Sequence, residues 1–327
     1  MQQNLNSAML SKEMAIVIDN ISKEYRTGFW MKRYLAVDSL CLSVPKGETF
    51  GFVGPNGAGK TSTITILAGL QAPTTGNAYI QGISSQEPAS KRALGFLPER
   101  PYFYTYLTAK ELLRFYGGLC SLSGISLEKR ILELLERTNM LEFSDVPLGK
   151  YSKGMLQRVG LCQTLLHDPD VILLDEPMSG LDPVGRALVK EIILEEKYKG
   201  KTVFFCSHVL SDVESICDRV AVVIKGKLRL LGTIRELVKE QEENFRCVYR
   251  ASIQCFATEQ VDAQGVRTVI ISKNDLSSAL LHLHQQNAEV LGVTLVQKSL
   301  ESVLVDEVRR DMQSSHNIDH NNMGVLA

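Results

Sequence analysis

Eight consecutive residues, Gly54-Pro55-Asn56-Gly57-Ala58-Gly59-Lys60-Thr61, follow the spacing G-x-x-x-x-G-K-[ST], which suits a backbone loop to phosphate. The glycines leave N–H groups free to point inward at an anion, and a helix starting at the loop's end turns its positive N-terminus toward the same charge. Lys60 adds a mobile cation for the outer phosphates, Thr61 a hydroxyl for a Mg²⁺ ion, and Ser62 a second hydroxyl for a phosphate oxygen. A second chemical signal closes the apolar run Val171-Ile172-Leu173-Leu174: the acid pair Asp175-Glu176. At the end of a strand buried on both faces, Asp175 can hold Mg²⁺ through water and Glu176 can accept a proton from an attacking water. The phosphate loop alone leaves kinases, GTPases and motors open; the acid pair selects among them.

Elements must hold these groups in place. Glu48 to Val53 reads as a buried strand entering the loop, and Ile64, Ile66, Leu67 and Leu70 carry a helix away from it. Upstream, Ala15 to Ile18 with Lys23 to Tyr25, and then Ala36 to Val44, predict two strands. Between them lies Gly28 to Arg33, an apolar tip with the single Trp30 that either folds on its own sheet or meets a partner or membrane surface. Short strands are expected at Ala78 to Ile80 and Leu94 to Leu97. Residues 108 to 141 read as helical, with Thr108 as one cap, Ser126 as another, and Leu127, Ile131, Leu134 and Leu135 on one face. Asp182-Pro183 predicts an N-cap followed by Pro at the first helical position. Thr202 to Cys206 predicts another buried strand, Ser211 to Glu214 a capping box, and Val220 to Leu231 a hairpin turning at Lys225-Gly226. Alternating buried strands and helices predict an α/β sheet.

A third motif, Tyr151-Ser152-Lys153-Gly154-Met155-Leu156-Gln157-Arg158, offers a hydroxyl and a glycine N–H at the start of a helix. With it the chain resembles the ATP-binding cassette (ABC) ATPases over roughly residues 14–235, the motif being a variant of that family's L-S-G-G-Q signature. The resemblance implies a P-loop NTPase fold with a mostly parallel sheet core, an N-terminal antiparallel β subdomain and a helical insertion at about 100–165. It implies ATP and Mg²⁺ as ligands, with Thr61, Asp175 and Glu99 at the metal and Glu176, His208 and Lys60 as catalytic groups. Tyr25 matches the aromatic that stacks on adenine, Ser179 to Asp182 the D-loop, and His208 the switch histidine. Glu99 replaces the usual Q-loop glutamine, and Lys153 and Met155 depart from the common signature. The family pairs two cassettes head to tail, so Ser152 and Gly154 would cap ATP held by a second copy or a homologue. Tyr102, Phe103, Tyr104 and Tyr106 are either a coupling surface for a separate transmembrane subunit or the core of the helical block.

Composition sets the outer bounds. A chain of 327 residues with 44% apolar and 22% charged residues is globular, and a net charge of −1 gives no bulk attraction to nucleic acid, so no nucleic-acid partner is expected. Seven scattered cysteines lack metal spacing and read as buried thiols in a reducing cytosol. No apolar run approaches the ~20 residues of a membrane span, so the chain is not expected to cross a membrane by itself, and the family resemblance implies a cytoplasmic protein peripheral to the membrane. The expected organisation is a loose start at 1–12, a nucleotide-binding domain at 13–240, a small α+β domain at 241–309 and a disordered tail at 310–327. His282, His284, His316 and His320 are not expected to be metal ligands. The small domain, ending in Lys298 to Leu304, resembles the extension of one exporter subclass, so the reading is an ABC ATPase subunit energising export. Its rivals are a non-transport cassette protein and a nucleotide-dependent regulator.

Overall fold

Three runs of apolar residues, β3 (Thr49–Val53), β7 (Val171–Asp175) and β8 (Thr202–Ser207), are buried along their whole length. Strands covered on both faces belong to parallel sheets, because the crossover helices lie on each side. In the computed structural model, which describes residues 13–27, 32–239, 244–296, 299–305 and 307–311, these strands form the centre of a six-stranded sheet. Its order is β10-β9-β3-β8-β7-β6, with β6 at Leu94–Leu97, β9 at Arg219–Ile224 and β10 at Lys227–Thr233. All neighbours are parallel except the β9–β10 hairpin. Phe204 stands between Phe50 and Phe52, with ring centroids at 5.7 and 5.3 Å.

The register of this sheet decides where chemistry can happen. Val53 lies opposite Ser207, and Asp175 opposite Cys206. The phosphate loop, the acid pair and His208 therefore leave the sheet together at its carboxyl edge, where parallel sheets bind their ligands.

A four-stranded antiparallel sheet, ordered β2-β1-β4-β5, packs on this core; its strands are Met14–Thr27, Lys32–Pro45, Thr75–Ile80 and Ile83–Ser84 taken as β1, β2, β4 and β5. Ile16, Ile18, Leu40 and Leu42 join Phe50, Phe52 and Ile64 in one buried cluster. The expected tip around Trp30, the start at 1–12 and, of the expected tail at 310–327, residues 312–327 with His316 and His320 lie outside the described residues, while 310 and 311 are helical.

Helices Ala109–Leu119, Gly124–Arg137 and Lys153–Leu165 form the insertion. Thr108 caps the first in a reciprocal box with Glu111. The second starts three residues earlier than the sequence suggests: Ser123 occupies the cap position, and the Ser126 hydroxyl donates to the Ser123 carbonyl at 3.1 Å. Its expected apolar face, Leu127, Ile131, Leu134 and Leu135, is buried. The box expected at Ser211 is also absent. Helix Leu210–Ile216 starts after Val209 without a side-chain cap, because the Ser207 hydroxyl takes the Val209 N–H at 3.0 Å and tightens that turn first. Arg137 ties the insertion to helix Pro183–Tyr198 through Glu195 and Glu196, at 2.6 and 2.8 Å.

The chain divides into two units, Met1–Ile234 and Arg235–Ala327. In the second, β11 (Asn244–Arg250), β12 (Gln260–Val261), β13 (Val266–Ser272) and β14 (Glu289–Val296) form an antiparallel sheet in the order β12-β13-β11-β14. Helix Leu276–Gln285 covers one face, burying Cys247, Tyr249, Val269, Ile271, Ala279 and Leu283. The Glu259 carboxylate accepts from the Cys255 and Phe256 N–H groups and the Tyr249 hydroxyl and pairs with Arg267, fixing the loop before β12. Not all thiols are buried as expected: Cys41 and Cys120 are exposed and Cys255 is half-buried. Cys41 falls between inward-facing Leu40 and Leu42, so strand alternation turns it outward. Among the described residues, no helix is long and apolar enough to cross a membrane.

Phe204→Ala removes the ring that joins Phe50 to Phe52 in the sheet core. A loss of about 3–5 kcal/mol is expected for a buried phenylalanine, measured by urea unfolding followed by circular dichroism.

Candidate functional site

The phosphate loop takes its shape from glycines that cannot be replaced. Gly57 and Gly59 have φ of 80° and 99°, in the left-handed region. A Cβ at Gly59 would lie 2.3 Å from the Ala36 carbonyl oxygen, and one at Gly54 only 2.1 Å from that of Val223. Lys60 opens helix Lys60–Leu67, and its Nζ donates to the carbonyls of Gly54 at 2.7 Å and Pro55 at 3.3 Å.

Over the loop lies a cavity of about 280 Å³. Asn56, Gly57, Ala58, Gly59, Lys60, Thr61 and Ser62 form its floor, Tyr25, Tyr34 and Ala36 one wall, and Glu99, Asp175 and Glu176 the other. Gly54 and Pro55 lie at the loop's start, outside the lining.

Asp175 is 2% exposed, and its Oδ1 has no hydrogen-bond partner. Its carboxyl is pushed up to about 6, chiefly by burial and then by the neighbouring charges of Glu176 and Glu99, while the Thr61 hydrogen bond and the Lys60 charge oppose them. An orphaned carboxylate oxygen beside the Thr61 hydroxyl, with Glu99 lining the same cavity, fits a hard cation such as Mg²⁺. Among the described residues no three His, Cys, Asp or Glu side chains form a complete cage, and Mg²⁺ needs none, since it keeps waters and binds substrate phosphates.

Glu176 follows at φ 50°, a left-handed position for a non-glycine residue. Its N–H donates to Cys206 O at 3.0 Å, and its carbonyl accepts from the Ser179 N–H at 3.0 Å. This turn aims the carboxylate at His208, whose Nδ1 is 2.8 Å from Glu176 Oε1. The carboxylate is largely buried and the imidazole half-exposed. Together they make an acid–base pair whose carboxylate lines the cavity.

Ser152, Gly154 and Asp182 do not line the cavity. Ser152 Oγ caps its helix by accepting from the Met155 N–H at 3.2 Å, and Asp182 Oδ1 accepts from the Gly185 N–H at 2.9 Å. Lys153, the departure in the third motif, donates to Ser179 Oγ at 3.0 Å and ties the two turns together.

Tyr25 lines the cavity with its hydroxyl held by Gln71 at 2.6 Å and Ser62 at 3.2 Å. Lys23 sits 5.3 Å from the centre of its ring. Directly across the β1–β2 ladder is Tyr34, which sequence reasoning missed; its hydroxyl donates to Gly57 O at 3.2 Å. From the sequence, the second strand is expected to start at Ala36. Extending its alternation back by two residues would have put Tyr34 on the same face as Ala36, beside the loop.

Comparison with known proteins converges on one family. Residues 37–179 match the family described as ABC transporter. An uncharacterized ABC transporter ATP-binding protein from Synechocystis sp. is 38% identical over 302 residues, covering 88% of this chain and 83% of the relative. Among solved structures, an ATP binding subunit of an ABC transporter superposes with a TM-score of 0.63 at 28% identity, covering 69% of this chain and 92% of that one. A dimeric post-hydrolysis state of an ATP-binding cassette bound to ADP and Pi gives 0.61 at 25% identity, over 67% and 99%.

The raised Asp175 carboxyl has a measurable consequence. Its folded pKa lies above the ordinary 3.8, at about 6, so stability falls as pH rises through that window and stays lost at pH 7. Asp175→Asn in the ligand-free protein is expected to gain about 2–3 kcal/mol at neutral pH and to flatten the pH dependence of its melting temperature between about pH 4 and 6. A lower melting point at pH 7 would contradict this.

Proposed function

The chain belongs to the ABC transporter ATP-binding proteins, and from that premise we propose that it hydrolyses ATP in an Mg²⁺-dependent reaction, paired with a second cassette. The observation that carries this is the 2.8 Å contact between Glu176 and His208 beside the loop cavity. A carboxylate held at a strand end by two backbone bonds is positioned to take the proton of a water attacking the outer phosphate. His208 orients that carboxylate. Lys60 and the loop amides from Gly54 to Thr61 hold the phosphate charge, with Ser62 contributing its hydroxyl, and Tyr25, joined by Tyr34, supports the base. Mg²⁺ would be held by Thr61, Asp175 and Glu99, and when bound it neutralises phosphate charge.

The proposed pairing is supported by what one chain leaves undone. Ser152, Gly154 and Asp182 stand at helix starts outside the lining of their own cavity, which supports a role toward nucleotide held by another cassette. One similar solved structure is itself a cassette dimer with ADP and Pi.

The same reading puts the chain at the cytoplasmic face of a membrane, driving export through a separate transmembrane subunit. Its support is the surface after Glu99: Phe103 turns inward, while Tyr102, Tyr104 and Tyr106 are exposed and Tyr104 meets the exposed Phe115 edge-on. Aromatic side chains in such number on a surface suit a protein contact. The export direction rests on the resemblance of the C-terminal extension.

Glu176→Gln is expected to lower kcat by roughly 10²–10⁴, as loss of a general base does, with ATP binding retained. Steady-state ATPase assays alongside nucleotide-binding titrations read both quantities. Unchanged turnover would overturn the assignment.

A further inference from the structure

The third motif departs from its common form at Lys153, and the departure runs against local electrostatics. Ser152 caps helix Lys153–Leu165, so Lys153 is its first residue, and no acidic residue stands in that first turn. The positive end of a helix favours acids and disfavours cations. A lysine there has a local cost, and positions that break a local rule are expected where function requires them. What the lysine gains is a contact with a turn distant in sequence. Its stem lies along Gly180, where a Cβ would come within 2.7 Å of Lys153 Cδ and 3.0 Å of Cε. Its Nζ then donates to Ser179 Oγ at 3.0 Å. The next residue, Gly154, meets the same turn: a Cβ there would lie 3.2 Å from Leu181 Cδ2 and 3.5 Å from the Gly180 carbonyl oxygen.

That turn supports Glu176. On one side the Glu176 backbone is held by the sheet, its N–H donating to Cys206 O; on the other its carbonyl accepts from the Ser179 N–H, each at 3.0 Å. The first bond belongs to the buried central strands. The second belongs to a chain reversal in which Glu176 stands at φ 50° and Gly180 at φ 76°. A non-glycine residue keeps such a conformation only while its surroundings hold it there. Lys153 holds the far end of the reversal, at the residue whose N–H bonds the Glu176 carbonyl.

We propose that Lys153 is a positioning residue for Glu176: through Ser179 it fixes the turn that aims the carboxylate at His208, so that turnover depends on the start of helix Lys153–Leu165. The inference rests on the reading of Glu176 as the general base. Lys153 and Ser179 are not among the residues lining the cavity, so their contact acts on the rate of the chemical step and not on the nucleotide bound there. A general base must lie within hydrogen-bond reach of the water it activates, and small misplacements of a reacting group are costly in rate. One hydrogen bond to the turn that carries it is therefore read out in kcat.

The test has one arm that needs no turnover. In the nucleotide-free full chain, Lys153→Met, which keeps the stem and removes the donor, is expected to speed amide hydrogen exchange at Ser179, while Lys153→Arg leaves it near the wild-type rate. In steady-state ATPase assays, Lys153→Met and Ser179→Ala are each expected to lower kcat by about 2- to 10-fold, the worth of one hydrogen bond, with KM unchanged. The double variant is expected to fall no further than either single one, Lys153→Arg to restore kcat, and Lys153→Met to cost nothing more in a Glu176→Gln background. Unchanged exchange at Ser179, additive losses in the double variant, or wild-type kcat for Lys153→Met would each overturn the proposal and leave the ATPase reading intact. A raised KM for Lys153→Met that Ser179→Ala does not share would also overturn it, assigning the lysine to phosphate on another cassette. A wild-type chain without ATP turnover would overturn the ATPase reading and, with it, the role given to Lys153.

Discussion

The nucleotide site depends on a backbone junction that has no room for side chains. The Ala58 carbonyl of the phosphate loop accepts from the Gly226 N–H at 3.0 Å, and the Gly226 carbonyl accepts from the Asp38 N–H at 3.0 Å. Gly59 and Gly226 both press on the Ala36 carbonyl, where a Cβ would come to 2.3 and 2.7 Å, and Gly54 presses on that of Val223. The loop is thus clamped between β2 of the antiparallel sheet and the β9–β10 turn of the parallel one. Phosphate-binding geometry and the docking of the two sheets are a single constraint. That is why the loop N–H groups can be preorganised: the loop's conformation is set by packing before any anion arrives.

Within that frame the charges are unbalanced. Glu99, Asp175 and Glu176 face a cavity to which Lys60 alone among its lining residues brings a positive charge, and Lys60 is bonded to loop carbonyls rather than to the acids. A polyphosphate would add negative charge to this wall. Both the raised Asp175 carboxyl and its orphaned oxygen express the same deficit, which a divalent cation removes. Glutamate at position 99, in place of the amide that the family resemblance leads one to expect, deepens the deficit.

Where the sequence is legible, one physical cause acts alone. The phosphate loop can be read because backbone approach demands glycine at fixed spacing, and β3, β7 and β8 because only a strand buried on both faces is apolar throughout. Asp182-Pro183 can be read because a side-chain cap and a fixed φ coincide. Serines compete, however: Ser123 and Ser126 can both cap, as Ser207 and Ser211 can both fix the turn after β8, and tertiary packing chooses between them. Tyr34 escaped because its place depends on the register of β1 with β2, a relation between distant residues. The pairing of Glu176 with His208 is of the same kind. It follows from Asp175 lying opposite Cys206, a register that no local pattern encodes.

One feature of the site joins its two halves within the same chain. Lys153, beside Ser152 at the start of its helix, donates to the Ser179 hydroxyl; the Ser179 N–H donates to the Glu176 carbonyl; and the Glu176 carboxylate meets His208. In the paired arrangement proposed above, Ser152 faces nucleotide on the other cassette while Glu176 faces its own. Any displacement of the helix start on meeting that nucleotide is carried by two hydrogen bonds to the backbone of the general base, at a residue already held in the left-handed region and therefore sensitive to small shifts. Lys153, which departs from the common signature, is the residue that makes the first of these bonds. In this chain Lys153 ties the turn after Glu176 to the start of its own helix, and in the proposed pairing that bond would link the contact with the other cassette's nucleotide to the alignment of the acid–base pair.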